Sequence, residues 1–326
     1  MKIASFFSGA GGLDLGFTNA GFSIAFANDN WDGCWETFEK NHNYPICKKS
    51  ITEIKSEEIP DVIGFVGGPP CQSWSLAGAM RGINDYRGKL FYNYVELIKA
   101  KQPLFFLAEN VPGILSDKHL PEFKKIIQAF RKIGYEVTYK LLNAKDYGVP
   151  QDRQRVIIVG YHSKLGKKFD FPESNSNKVV LKDSIYDLPN PKPAKEKNKS
   201  NGKLDVPNHE YMTGGFSTIY MSRNRVRNWD EPSFTIQAGG RHAPIHPQAP
   251  KMTFIEQNKR EFVKGKEYLY RRLSVRECAR IQTFPDDFIF YYNDIADGYK
   301  MIGNAVPVKF AEAIANKIMR DIVLLK

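Results

Sequence analysis

Gly67-Gly68-Pro69-Pro70-Cys71-Gln72-Ser73-Trp74-Ser75 follows directly on the apolar run Asp61-Val62-Ile63-Gly64-Phe65-Val66. A short apolar run bounded by Gly and Pro reads as a strand buried on both faces, the pattern of a parallel sheet. In such sheets ligands bind beyond the carboxyl ends of the strands. The two prolines fix φ and remove two backbone donors, so the segment is neither helix nor inner strand. It is a stiff loop that presents Cys71, which suits a nucleophile. A Pro-Pro turn before a small buried cysteine is the plainer alternative, and the rest of the chain has to decide between them.

Outward from this loop, other apolar runs repeat the pattern. Lys2 to Phe7 reads as a first strand, followed by Ser8-Gly9-Ala10-Gly11-Gly12-Leu13-Asp14-Leu15-Gly16-Phe17, a glycine-rich loop opening a helix. This is the turn where a doubly wound fold binds a nucleotide-like ligand. It lacks the G-x-x-x-x-G-K-[ST] spacing of a phosphate-cradling loop, so its glycines are read as allowing close backbone approach to a small ligand. Ser23 to Ala27 is a second strand ending at Asn28 and Asp29, and Asp29 is a candidate for ribose hydroxyls. A structural turn with a helix cap would also account for these residues.

Leu90 to Lys99 has helical spacing and is broken by Pro103, and Leu104 to Ala108 is a further buried strand. That strand delivers Glu109-Asn110-Val111-Pro112 to the same sheet edge as Cys71. Pro121 to Ile133 reads as an amphipathic helix, Tyr135 to Leu142 and Arg155 to Tyr161 as strands. The alternation predicts an α/β domain with a doubly wound, mostly parallel sheet. After about Phe171 the composition shifts to Asn, Lys, Pro and Ser, which marks a domain boundary. Arg271 to Phe284 is predicted helical, and Val308 to Leu325 forms a final amphipathic helix.

The net charge is +11, and residues 173–276 hold 19 Lys and Arg against 11 Asp and Glu. A basic excess gathered in one segment points to a polyanionic partner, because phosphate contacts supply most non-specific affinity for nucleic acid. Within it, Arg223, Arg225 and Arg227 alternate with short polar or apolar residues, as an extended segment presenting guanidinium groups to guanine edges would. A solvated surface strand is the bland alternative. The four cysteines form no C-x-x-C pair, so neither a disulfide framework nor a metal site is indicated. No run of about 18 apolar residues occurs, and the chain starts with a strand-like segment, so a soluble cytoplasmic protein without membrane contact is expected.

Taken together, the ordered motifs resemble the DNA cytosine-5 methyltransferase family, and the likeness extends over nearly the whole chain. Phe7 to Gly12 is similar to the family's methyl-donor loop, Pro70-Cys71-Gln72 to its nucleophile motif and Glu109-Asn110-Val111 to its base-gripping acid. Gln151-x-Arg153-x-Arg155, the helix around Arg271 to Pro285 and Gly303-Asn304 follow in the family's order. The resemblance implies a Rossmann-like S-adenosylmethionine-dependent fold with a smaller DNA-recognition domain: residues 1–172 completed by 300–326 for catalysis, and 173–299 for recognition. It implies catalytic roles for Cys71, Glu109, Arg153 and Arg155. Cofactor contacts would fall on Phe7, Gly9, Gly11, Leu13, Asp29, Trp31, Ile51, Pro70, Leu90, Asn304 and Val306. DNA contacts would fall on Ser75, Arg225, Arg227, Thr235 and Arg241. The recognition region is similar to that of the HaeIII type, which implies a GGCC target, double-stranded DNA as partner, a monomer and a cognate restriction endonuclease, in a prokaryotic cytoplasm. No metal is implied. Three positions depart from the family pattern: Ser50, where an aspartate usually holds the adenine amino group, Ser274 for threonine and Thr283 for glycine.

The chemistry needs these residue types. Cytosine C5 is a poor nucleophile, so a thiolate adds first at C6, and Cys71 is the candidate. A free thiol titrates near pH 8.5, so nearby cations, Arg153 and Arg155, would help form the thiolate. Glu109 would hydrogen-bond or protonate N3, Arg155 would hold O2, and the base must leave the stack to be reached. A tRNA cytosine-5 methyltransferase, a non-catalytic nucleic-acid-binding module and a nicotinamide dehydrogenase are the competing readings. The last leaves the Pro-Pro-Cys loop and the basic segment unexplained.

Overall fold

The apolar runs form a six-stranded sheet, in the order β2 (Ser23–Asn28), β1 (Lys2–Phe6), β3 (Gly64–Gly67), β4 (Phe105–Asn110), β6 (Gln154–His162), β5 (Tyr135–Asn143). In this computed structural model residues 1–70, 86–174 and 178–324 are described. The expected nucleophile Cys71 and the expected DNA contact Ser75 lie outside the described residues. Strands β1 (Lys2–Phe6), β2 (Ser23–Asn28), β3 (Gly64–Gly67) and β4 (Phe105–Asn110) are parallel to one another. β1, β3 and β4 are almost wholly buried, which is why they read as near-continuous apolar runs.

The sheet's other edge differs from a uniform strand-helix alternation. β5 (Tyr135–Asn143) and β6 (Gln154–His162) pair antiparallel, and β6 is antiparallel to β4. Residues 144–153, between them, contain a single turn of 3₁₀ helix and no crossover helix. Only a connection with a crossover can return a strand parallel to its neighbour, so this pair had to turn back on itself.

Helices α1 (Gly12–Asn19), α2 (Trp35–His42), α3 (Tyr86–Lys101) and α4 (Leu120–Lys132) cover the sheet together with the C-terminal α8 (Val308–Val323). α4 buries Phe123, Ile126, Ile127 and Phe130 at helical spacing, and Phe130 stacks on Phe106 of β4 with ring centroids 4.0 Å apart. α1 approaches α8 so closely that a Cβ on Gly16 would lie 2.5 Å from that of Ala311. Any larger residue there would force the two helices apart.

The chain divides into two compact units. The first comprises Met1–Asn143, Gln154–Ser174 and Val308–Lys326, and the second Ala144–Arg153 and Asn175–Pro307. Residues 144–153 and 300–307 thus pack within the second unit, whereas the sequence reading grouped them with the catalytic segments. Among its described residues the second unit holds little regular structure: α5 (Leu181–Ile185), α6 (Val275–Ile281), α7 (Ile295–Asn304) and four short strands. Its core includes Tyr220, Val226, Ile245, Met252 and Tyr270.

The helix predicted over Arg271 to Phe284 is shorter than expected. Ser274 caps α6 by accepting from Glu277 N, while Glu277 accepts from Ser274 N. That capping box fixes the start at Val275. Arg271 and Arg272 precede it with other partners: Arg271 forms a bidentate pair with Glu277, and Arg272 donates to the carbonyls of Gly214 and Gly215. Among the described residues, no helix is long and apolar enough to cross a membrane.

Candidate active site

Glu109 ends the apolar stretch of β4 and Arg155 opens β6, and antiparallel pairing brings these two strand ends together. Arg155 Nε lies 2.7 Å from Glu109 Oε1, with both side chains close to nine-tenths buried. The second carboxylate oxygen, Oε2, lies beside Gly68, where an added Cβ would approach it to 3.4 Å. Gly68 is the residue that leads into Pro69 and Pro70. Asn110 Nδ2 donates to the Pro69 carbonyl at 3.2 Å and Asn110 Oδ1 accepts from Val111 N. Asn110 therefore holds the backbone at Pro69, two residues before Cys71 in the sequence. Burial lowers the Arg155 pKa, with the Glu109 charge opposing; an arginine remains cationic under any such shift.

At the neighbouring strand ends, Phe7, Gly9 and Gly11 all adopt positive φ (54°, 55° and 85°), so the backbone turns sharply before α1. Asp29, at the end of β2, ties this turn down. Its Oδ2 accepts from Gly9 N and its Oδ1 from Trp31 N, each at 2.9 Å. The Trp31 ring is held near Gly33, where a Cβ would come within 2.4 Å of it. Ile51 and Leu90 are buried in one cluster with Phe6 and Phe65, and Phe7 packs against that cluster. Leu13 is buried at the start of α1. Ser50 caps the 3₁₀ turn at Ile51–Glu53, with Glu53 Oε2 accepting from Ser50 N.

Two further groups at this loop escaped the sequence reading. His42, the last residue of α2, stacks on Phe38, and its Nε2 lies 3.2 Å from the Ala10 carbonyl. A Cβ on Gly11 would fall 1.9 Å from that nitrogen, so only glycine fits there. No local pattern joins residues 31 positions apart, and the glycine's need for space was the only hint. The second is Asp14, fully buried in α1. Its signal was visible: one acid inside the apolar run from Gly12 to Phe17.

A cofactor of the S-adenosylmethionine type fits these residues. Among the described residues, a Cβ on Gly9 would meet no atom within 4 Å, so the turn leaves space directly against its backbone. Asp29 is held at that turn by Gly9 N, at a strand end where a carboxylate can meet ligand hydroxyls.

The expected residues of the second unit form a separate group. Arg153, 1% exposed, donates to the carbonyls of Ile236, Gly303 and Ala305. Gln282 Nε2 donates to the carbonyls of Ile302 and Ala305, and Gln151 Nε2 donates to Gln282 Oε1. Arg153 is thus a brace for the segment holding Asn304 and Val306. Thr235 Oγ1 donates to the Asp152 carbonyl.

The arginines are already engaged to different degrees. Arg225 donates to the carbonyls of Tyr220 and Ile219 and lies over the Tyr220 ring. Arg227 pairs with Glu231 at 3.2 Å and Asp152 at 3.7 Å, over Phe234. Arg241 is exposed, and with Lys197, His242 and Arg272 it lines a cavity of about 700 Å³.

A mostly parallel sheet with a reversed edge, a glycine turn tied by an acid and a Glu-Arg pair beside Gly68 are consistent with an S-adenosylmethionine-dependent methyltransferase fold. The match to the C-5 cytosine-specific DNA methylase family runs over residues 1–320, and the chain belongs to that family. It is 69% identical over 323 residues to the Type II methyltransferase M.MthTI of Methanothermobacter thermautotrophicus, covering 99% of this chain and 98% of that one. It is 58% identical to the Type II methyltransferase M.FnuDI of Fusobacterium nucleatum, covering 98% and 94%. The Entamoeba histolytica methyltransferase EhMeth shares the fold at 15% identity, with a TM-score of 0.71 over 99% of this chain and 98% of that one. The family implies S-adenosylmethionine as methyl donor and DNA as substrate.

Proposed function

We propose that this DNA cytosine-5 methyltransferase modifies a cytosine within GGCC through a covalent adduct on Cys71, as the modification enzyme of a Type II restriction-modification system. The observation that carries the mechanism is the Glu109–Arg155 pair beside Gly68, at the root of the loop that bears Cys71. Bound S-adenosylmethionine supplies an electrophilic methyl group. The protein's own residues do the rest. The target cytosine leaves the stack, since its ring cannot be attacked within the duplex. Arg155 fixes one oxygen of Glu109, and the other carries a proton that Glu109 shares with N3 while the adduct forms, drawing electron density from the ring, and takes back on elimination. The Cys71 thiolate adds to C6, which makes C5 the nucleophile. After transfer, loss of the C5 proton to water expels the thiolate and restores the aromatic ring.

Asp29, Gly9 and Phe7 would hold the cofactor at the turn, with Gly11, Leu13, Trp31, Ile51, Pro70 and Leu90 around it. Arg153 acts by holding Gly303 to Ala305, and so Asn304 and Val306, in one conformation. Arg225, Arg227, Thr235 and Arg241 would read the DNA, and the GGCC target rests on the likeness of this region to HaeIII-type enzymes. The names of the two close relatives support the Type II assignment. Bisulfite sequencing of plasmid DNA from cells expressing the chain tests the reading. Protected cytosines confined to GGCC are expected, and none in cells expressing Cys71→Ser. Protection at another site would remove the target assignment, and protection by the Cys71→Ser chain would remove the covalent mechanism.

A further inference from the structure

Asp14 occupies an unusual place for an acid. It lies in the first turn of α1, directly after the glycine turn, and is 0% exposed. By strict geometry neither carboxylate oxygen accepts a hydrogen bond among the described residues, and the Ser5 and Ser8 hydroxyls beside it ease its charge only in part. The nearby hydroxyls of Ser5 and Ser8 bond to each other at 2.9 Å. A buried carboxylate without a partner is strongly penalised when charged, so such groups usually neutralise or serve a purpose. Burial raises its pKa to about 7, the Asp29 charge adding to this and Ser5 and Ser8 opposing it. Among the described residues, the one charged side chain that acts strongly on it is Asp29, while on the packed helix α8 Lys317 is bonded to Asp321. Asp29 faces it from the end of β2, His42 from α2 is a neutral imidazole against Gly11, and Glu312 of α8 is bonded to Asn19.

A titratable group in this setting responds to any charge that arrives nearby, because Coulomb terms are weakly screened away from water. Methyl transfer changes the charge of the cofactor: the donor carries a sulfonium, whereas S-adenosylhomocysteine is a neutral thioether. We propose that Asp14 is a positioning residue that senses this charge, releasing its proton to solvent when the sulfonium form occupies the turn and taking one back when the thioether product is left. The turn would then hold substrate against an anion and product against a neutral acid, which favours exchange of spent cofactor. Linkage makes the effect reciprocal: if the donor promotes ionisation, rising pH must favour the donor over the product. This inference rests on the assignment of the glycine turn to the cofactor.

Titration calorimetry of the full chain with S-adenosylmethionine and with S-adenosylhomocysteine, in buffers of different ionisation enthalpy, tests it. Wild type should release more protons near neutral pH on binding the donor than Asp14→Asn does, while the two should agree for the product. Comparing wild type with the variant cancels proton changes on the ligands themselves. Equal proton release by wild type and variant with the donor would overturn the proposal. Should Asp14→Asn fail to fold, the ratio of product Kd to donor Kd for wild type should rise several-fold from about pH 6 to about pH 7; a flat ratio overturns it. Binding of neither ligand to wild type would remove the cofactor assignment itself, and the proposal with it. Binding of both without differential proton release removes only the role of Asp14.

Discussion

Glu109 and Arg155 meet at 2.7 Å because the sheet reverses direction between them. In an all-parallel sheet the start of β6 would lie at the opposite edge from the end of β4, and the pair could not form. The antiparallel edge is therefore what assembles the proposed base-binding acid with its cation. Glu109→Gln should keep cofactor and DNA binding but slow single-turnover methylation by on the order of a hundredfold, the typical contribution of a positioned acid. Rapid-quench measurement of one turnover checks this, and an unchanged rate would mean that N3 is activated by another group.

For Cys71→Ser, methyl transfer should vanish while DNA and cofactor affinities persist, since a hydroxyl is a far weaker nucleophile than a thiolate at neutral pH. Gel-shift and filter-binding assays report the two affinities, and tritium transfer reports the chemistry. Wild-type turnover by this variant would exclude the thiolate adduct.

Much of the first unit was legible in advance because strands buried on both faces leave continuous apolar runs, as in Ile3 to Phe6 and Phe105 to Ala108. Strand direction was less so: the runs at β5 and β6 look like any others, and only the absence of a crossover helix between residues 144 and 153 tells them apart. Partners distant in sequence were hidden for a related reason. His42 against Gly11, and Arg153 on the carbonyls of Ile236 and Gly303, are set by tertiary packing that no local spacing encodes. The over-extended helix at Arg271 had another cause, since its two arginines have helical propensity but hydrogen-bond elsewhere.

His42 makes stability depend on pH. Burial lowers its pKa to about 4 from an ordinary 6.5, and the Ala10 carbonyl requires a proton on Nε2, which the neutral tautomer supplies. The unfolded chain binds the extra proton first, so this stabilisation is complete above about pH 6.5 and is lost as the pH falls towards 4. Asp14, with its raised pKa, acts with the opposite sign over part of the same range. Urea midpoints for His42→Gln should therefore fall less than those of wild type between about pH 6.5 and about pH 4. Parallel curves for the two proteins would show that His42 does not titrate in this way.

Ser50 stands where the family usually has an aspartate, and it caps the turn at Ile51 through its hydroxyl. Aspartate is an equally good N-cap, so Ser50→Asp should leave the turn intact and add an acceptor for the adenine amino group. A hydrogen bond to a charged group contributes roughly 1.5 kcal/mol or somewhat more, equivalent to a roughly tenfold tighter Kd for S-adenosylmethionine. Calorimetry showing unchanged or weaker binding would mean that a neighbouring residue already serves the adenine.

The arginines of the second unit predict a graded effect on sequence choice. Guanine offers O6 and N7 to a bidentate guanidinium, at about 1 to 3 kcal/mol of discrimination per contact, and lysine keeps the charge but loses the fork. Arg241 is exposed beside its cavity. To meet a base edge Arg227 would exchange Glu231 and Asp152, whereas Arg225 would do so from its anchorage on the carbonyls of Ile219 and Tyr220 with no ion pair to break. A pre-anchored fork loses less freedom on binding, whereas an ion pair must be broken first. Arg241→Lys and Arg225→Lys should therefore relax the preference for GGCC over singly substituted sites by roughly tenfold, and Arg227→Lys by less. The salt dependence of binding should hardly change in any of them, because the number of cationic groups is conserved. Methylation rates on GGCC and on the substituted sites, for each variant at two salt concentrations, decide the matter: unchanged ratios in all three would move these arginines from base reading to the phosphate backbone or to the fold.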